Sequence, residues 1–142
     1  MNHTFHGLQL AIDLAERQRD ERAQVLARVQ RQVQMGHQQL EQLQSYAKDT
    51  DARWTQGHHT AVSPELLRHH YQFVDRLQHA MGMQDGVIAN LARQENQCRA
   101  ALMQAEMRLS GLKQVLEKRK LSLAAVEQRR EPWQRVVLDH VD

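Results

Sequence analysis

The sequence predicts an all-α chain built as two long helices in an antiparallel coiled-coil hairpin, the second helix longer than the first. Three observations carry this. Gly and Pro together are scarce, 6 and 2 of 142 residues, and aromatics are 4%, while Gln alone accounts for 20 positions. Few turn formers and many straight polar side chains disfavour sheets and favour long helices. The second observation is a single break, Gly57-His58-His59-Thr60-Ala61-Val62-Ser63-Pro64. The third is a seven-residue apolar repeat on both sides of it.

The first helix is expected over about 5–56. Alternate steps of four and three run through Leu8, Ile12, Ala15, Arg19, Arg22, Leu26, Val29, Val33, Gly36, Leu40, Leu43, Ala47, Thr50 and Trp54, and 10 of these 14 are apolar. The turn occupies 57–63. Gly57 suits a left-handed helix C-terminus. Ser63 is a good N-cap, and Pro64 then falls at the first helical position, where its missing N–H costs nothing. The second helix is expected over about 64–139, making 1–142 a single coiled-coil domain. Its seam runs Leu67, His70, Val74, Leu77, Met81, Gln84, Ile88, Leu91, Glu95, Cys98, Leu102, Ala105, Leu109, Leu112, Leu116, Arg119, Leu123, Val126, Arg130, Trp133, Val137 and His140.

A short loop between long helices makes them antiparallel neighbours, so residues whose numbers total about 120 should lie level. Leu43 then faces Leu77, Val29 faces Leu91, and Leu8 reaches Leu112. At ~1.5 Å per residue the helices span ~75 and ~110 Å. The last ~25 residues of the second helix therefore have no partner in the chain, yet keep an apolar seam that must fray, self-associate or meet another protein.

Function classes narrow by what is missing. The lone Cys98 excludes an intramolecular disulfide and a cysteine zinc site and fits a reducing cytosol. No apolar run approaches a membrane span, and the first residues lack a basic region followed by an apolar stretch. The residues show neither a Gly-rich phosphate loop nor a nucleophile elbow, and no catalytic, cofactor or metal site is expected. His58-His59, His69-His70 and His79 have no carboxylate or Cys to complete a shell and read as solvated. A net charge of +2 gives no argument for nucleic acid.

Four features are left to weigh. Arg19, Arg22 and Glu95 interrupt the seam, either fixing register, with an Arg22–Glu95 pair within reach, or loosening that end for charged partners. Gly36 falls level with Gly82 and Gly86, marking either a soft level or tolerated surface glycine. Phe73, Leu77 and Ala80 form a stripe at i, i+4 and i+7. A two-helix hairpin would leave the Phe73 ring largely exposed, unless it widens the core against Tyr46 or Leu40. Residues 113–135 carry Lys113, Lys118, Arg119, Lys120, Arg129, Arg130 and Arg135 against Glu117, Glu127 and Glu131, a net +4 on the same stretch as the overhang.

The pattern resembles the FliJ family over most of the chain. The resemblance rests on Leu10, Asp13-Leu14-Ala15-Glu16, Ala23, Leu26, Gln39-Leu40, Leu43 and Tyr46 in the first helix, and on Tyr71-Gln72-Phe73-Val74 and Leu77 in the second. It implies a non-enzymatic stalk of the bacterial flagellar type III export apparatus, serving motility. The implied fold is similar to the two long terminal helices of the rotary stalk subunit of F-type ATPases. The implied partners are a hexameric export ATPase, the cytoplasmic domain of the export gate, and export chaperones. The implied location is cytoplasmic, peripheral at the inner membrane through partners alone. The family's gate stripe maps onto Phe73, Leu77 and Ala80. With both termini at one end of the hairpin, Arg17, Arg19, Arg22, Lys113, Lys118, Arg119, Lys120, Arg129 and Arg130 form a basic end expected to meet acidic side chains of the ATPase ring. The equivalent stalk of a virulence injectisome and a self-associating coiled-coil scaffold are the alternatives; the pattern does not separate the first from a flagellar stalk.

Overall fold

The computed structural model describes residues 5–57 and 63–141, with residues 131–141 described by their backbone alone. Two helices make up these residues, α1 (His6–Gln56) and α2 (Pro64–Val141), of 51 and 78 residues. The loop residues 58–62, with His58 and His59, lie outside the described residues, as do the side chains of Trp133, Arg135, Val137 and His140.

The helix ends follow local chemistry. At the start of α1, the Gln9 amide donates to the Phe5 carbonyl at 2.8 Å. Ser63 caps α2: its Oγ accepts from the Leu66 amide at 3.2 Å and its carbonyl accepts from the Leu67 amide at 3.1 Å, satisfying donors that the first turn otherwise leaves open. Gly57 corrects one expectation. It is not left-handed. Its amide donates to the Arg53 carbonyl at 3.1 Å, so it closes the last turn of α1 in ordinary helical fashion.

The chain divides into two compact units, one of Gln24–Arg99 and one of Met1–Ala23 with Ala100–Asp142. Each contains a stretch of both helices.

In the Gln24–Arg99 unit the antiparallel register is visible at three levels. Gly36 is buried, and a Cβ placed on it would stand 3.2 Å from Ile88 Cγ1 and 3.7 Å from Leu91 Cδ1. The missing side chain is what lets α2 come this near. At the same level the Gln84 side-chain amide donates to the Gly36 carbonyl at 2.9 Å and to Gln39 Oε1 at 3.1 Å, using both of its hydrogens. Closer to the turn, the Tyr46 and Phe73 rings meet edge to face with centroids 5.7 Å apart. Near the loop, Trp54 and His70 stack 3.7 Å apart and almost parallel. Val29 and Leu77 are buried, and Leu26, Val33, Leu40, Leu43, Met81, Ile88, Leu91 and Cys98 are half-buried. Gly36 is therefore neither a soft level nor a surface glycine. Gly82 and Gly86 do face open space. His70 is likewise half-buried rather than solvated.

In the other unit the core is Ile12, Ala15 and Leu109, with Leu8, Leu112 and Leu116 packed on it. Ala15, Ile12 and Leu109 are 2%, 3% and 4% exposed, the lowest values among the described residues. Lys113 reaches Glu16 at 3.7 Å across the helices. Beyond Leu116 cover ends: every residue from Glu117 to Arg130 is exposed, including the seam residues Arg119, Leu123, Val126 and Arg130.

Candidate functional site

The stripe of Phe73, Leu77 and Ala80 lies in the Gln24–Arg99 unit. Leu77 belongs to the seam and is 9% exposed, so its side chain is already spent on packing. It also lines a recess of about 190 Å³ with Ala47, Thr50, Val74 and Met81. Ala80 is half-buried. Phe73 is half-buried too: of the two readings, an exposed ring or one that widens the core against Tyr46 or Leu40, the contact with Tyr46 favours the second. An aromatic pair in this geometry is worth about 0.5–1.5 kcal/mol beyond the area it covers. Tyr46 itself stays 54% exposed. What this stripe offers outward is thus Tyr46, Phe73 and Ala80, with Leu77 as the floor.

Arg17, Arg19 and Arg22 of α1 and the basic residues of the overhang lie in the other unit. Arg19 is engaged by Asp20 at 2.8 Å and Lys113 by Glu16 at 3.7 Å. These are solvent-exposed pairs, each worth at most about 1 kcal/mol, and both can be exchanged for other anions. Arg17, Arg22, Lys118, Arg119, Lys120, Arg129 and Arg130 are exposed, and among the described residues none of them takes an ion pair. Glu95 takes Arg99 of its own helix at 2.7 Å rather than Arg22. The seam's one acidic interruption is thereby neutralised one turn away.

Among the described residues no three His, Cys, Asp or Glu come together as a metal site, and no helix is long and apolar enough to cross a membrane. An open groove of about 600 Å³ runs past Arg19, Glu106, Leu109 and Lys113. A long paired seam, a half-buried aromatic stripe and an uncovered basic helix define a helical-hairpin protein of the coiled-coil class. Which one is settled by the sequence comparison: the family model for the flagellar FliJ protein matches residues 5–134, and the chain belongs to the FliJ family, a family of flagellar type III protein export. No curated protein and no solved structure matches the chain.

Two sets of exposed residues escaped the sequence reading. Met83 and Val87 continue the Phe73–Ala80 side of α2, and Met103 and Met107 flank Gly111 in an open groove of about 430 Å³. The first had a readable signal, a second set of steps of three and four beginning at Leu66. The heptad count hid it by following the deeper seam.

Proposed function

We propose that this chain is a non-enzymatic stalk of the flagellar export apparatus, one that engages the hexameric export ATPase through its basic end and the export gate through the Phe73 stripe, with export chaperones as further partners. The stalk works at the cytoplasmic face of the inner membrane and touches the membrane only through those partners. Family membership supports the apparatus, and one structural observation carries the ATPase contact. From Glu117 to Arg130 the helix keeps its apolar seam and its excess of Lys and Arg with nothing over either.

A single hairpin inside a ring of six alike subunits meets a symmetry mismatch. Its contacts must pass from subunit to subunit. Exposed cations suit this, because attraction to acidic side chains falls off gradually and tolerates imperfect geometry. Arg17, Arg19, Arg22 and Lys113 extend the basic end on the paired side, while Lys118, Arg119, Lys120, Arg129 and Arg130 supply the overhang.

The test is the triple reversal of Lys118, Arg119 and Arg129 to Glu. All three are exposed, so far-UV circular dichroism and the urea midpoint should stay close to those of the unaltered chain. Stimulation of ATP hydrolysis by the purified export ATPase should fall, and the unaltered chain's stimulation should weaken as salt brings the Debye length below ~8 Å. Full stimulation by the reversed chain would remove the ATPase contact from this end. A salt-independent response would remove the electrostatic account of it.

A further inference from the structure

In the Gln24–Arg99 unit the two sides of the coiled coil are not alike. Residues on the seam occupy heptad positions a and d. Positions g and c lie to one side of it, and e and b to the other. The contact between Tyr46 and Phe73, both at g, shows that the g positions of the two helices flank the same edge.

Along α2 the g and c positions are Leu66, His69, Phe73, Arg76, Ala80, Met83 and Val87, and five of these seven are apolar. They form a second stripe with the same alternation of three and four as the seam, and α1 leaves it open: Leu66, Met83 and Val87 are 53%, 63% and 48% exposed. On α1 the same side adds Val25, Met35 and Tyr46, all exposed. Its charges are Arg28, Arg53 and Arg76 against Asp49. Arg76 donates only to the carbonyl of Gln72 in its own helix, at 3.4 Å. The e and b side differs in kind. Its apolar members are Ala27, Tyr71, Ala89 and Ala92, and it carries Glu41, Asp51, Asp75 and Asp85 against Lys48, Arg68 and Arg99.

We propose that the partner docks here as an amphipathic α-helix laid along this second stripe, its apolar face over Tyr46, Phe73, Ala80, Met83 and Val87 and an acidic side chain over Arg76. This rests on the reading of the Phe73 stripe as the export-gate contact and extends it by two turns of α2. The stripe keeps the heptad alternation of a coiled-coil seam, the pattern on which a further helix packs. From Leu66 to Val87 it runs ~32 Å at ~1.5 Å per residue, room for a six-turn helix. Ala80, small and central, lets the incoming helix come close while Phe73 and Met83 grip it on either side. The charge of this side chooses the occupant: a second copy of the chain would bring the same excess of arginine, whereas a helix with acidic flanks complements it.

The experiment uses the full chain and the cytoplasmic domain of the export gate, with affinity measured by calorimetry and self-association by light scattering. Phe73→Ala, Met83→Glu with Val87→Glu, and Arg76→Glu are compared, and circular dichroism verifies that each remains helical. Phe73→Ala and the double variant should each weaken gate binding at least about tenfold, and Arg76→Glu by about three- to tenfold with a loss of salt dependence. If Phe73→Ala weakens binding and the double variant does not, the stripe ends at Ala80 and the docked helix is overturned while the gate reading survives. If neither weakens binding, the gate reading fails and takes the docked helix with it. If the double variant instead abolishes a dimer and leaves gate affinity intact, the occupant is a second copy and the proposal is wrong.

Discussion

From His70 to Leu116 every seam residue of α2 is buried or half-buried; from Glu117 to Arg130 every residue is exposed, although Leu123 and Val126 keep the spacing. The two stretches share a period and a helix, though the second is far richer in charge. They differ in whether α1 is beside them, since α1 begins at His6 and the core that closes on Leu8 ends with Leu116. Periodicity therefore states a capacity for burial. Covering it takes a second element, and from Glu117 to Arg130 none lies over the seam.

The strongest way to break this comparison is to truncate matched seam residues on either side of Leu116. Leu109→Ala or Ile12→Ala should cost about 3 kcal/mol by urea denaturation, because each leaves a cavity in the best-covered part of the seam. Leu123→Ala should cost less than about 0.5 kcal/mol, as an exposed substitution in a good helical context. Equal losses would mean that the overhang packs on something in the free protein. Glycines sharpen the contrast at the next scale. Gly36→Val should destabilise by about 1–3 kcal/mol, since even a Cβ there already crowds Ile88. Gly82→Ala and Gly86→Ala meet nothing within 4 Å and should each stabilise by up to about 1 kcal/mol. A stabilising Gly36→Val would show that the helices can part at this level at no cost. Smallest of all is the Glu95–Arg99 pair. Glu95→Ala should shift stability by no more than about 0.5 kcal/mol, and less in high salt, if the pair merely quiets a polar seam position.

Much of this was legible before any coordinates. The seam residues from Leu8 to Trp54 are buried or half-buried with the single exception of Arg22, because a 3.5-residue repeat fixes which face meets a neighbour. The register followed from the loop, and Gly36 does lie against Gln84. What the pattern could not give was detail that depends on the partner helix's side chains. Gly57 ends α1 without turning left-handed. The Phe73 ring is covered by Tyr46, a residue 27 positions away, and His70 is drawn onto Trp54. The last two are cross-helix contacts; the register offered Tyr46 as one cover for Phe73, and a count along one helix could not choose it. The candidate site was half legible for the same reason. Charge and overhang are sums over sequence, whereas the division of the coil into an apolar side and an acidic side needs to be known from which flanks meet.

The bond from Gln84 to the Gly36 carbonyl bears on how such a hairpin could carry a signal. Some paired helices communicate by slipping one heptad past each other. Here a slip of seven residues would draw Gln84 away from the one gap that admits it and set Leu77 or Leu91 against the glycine. The amide, which now donates twice, would be stranded among aliphatic neighbours, a penalty of about 1–3 kcal/mol before any packing is lost. That pins the two strands in one alignment within the Gln24–Arg99 unit. Motion imposed at one end of that unit would have to arrive at its other end as a turning or bending of both helices together, and sliding is the one mode of transmission this pair resists.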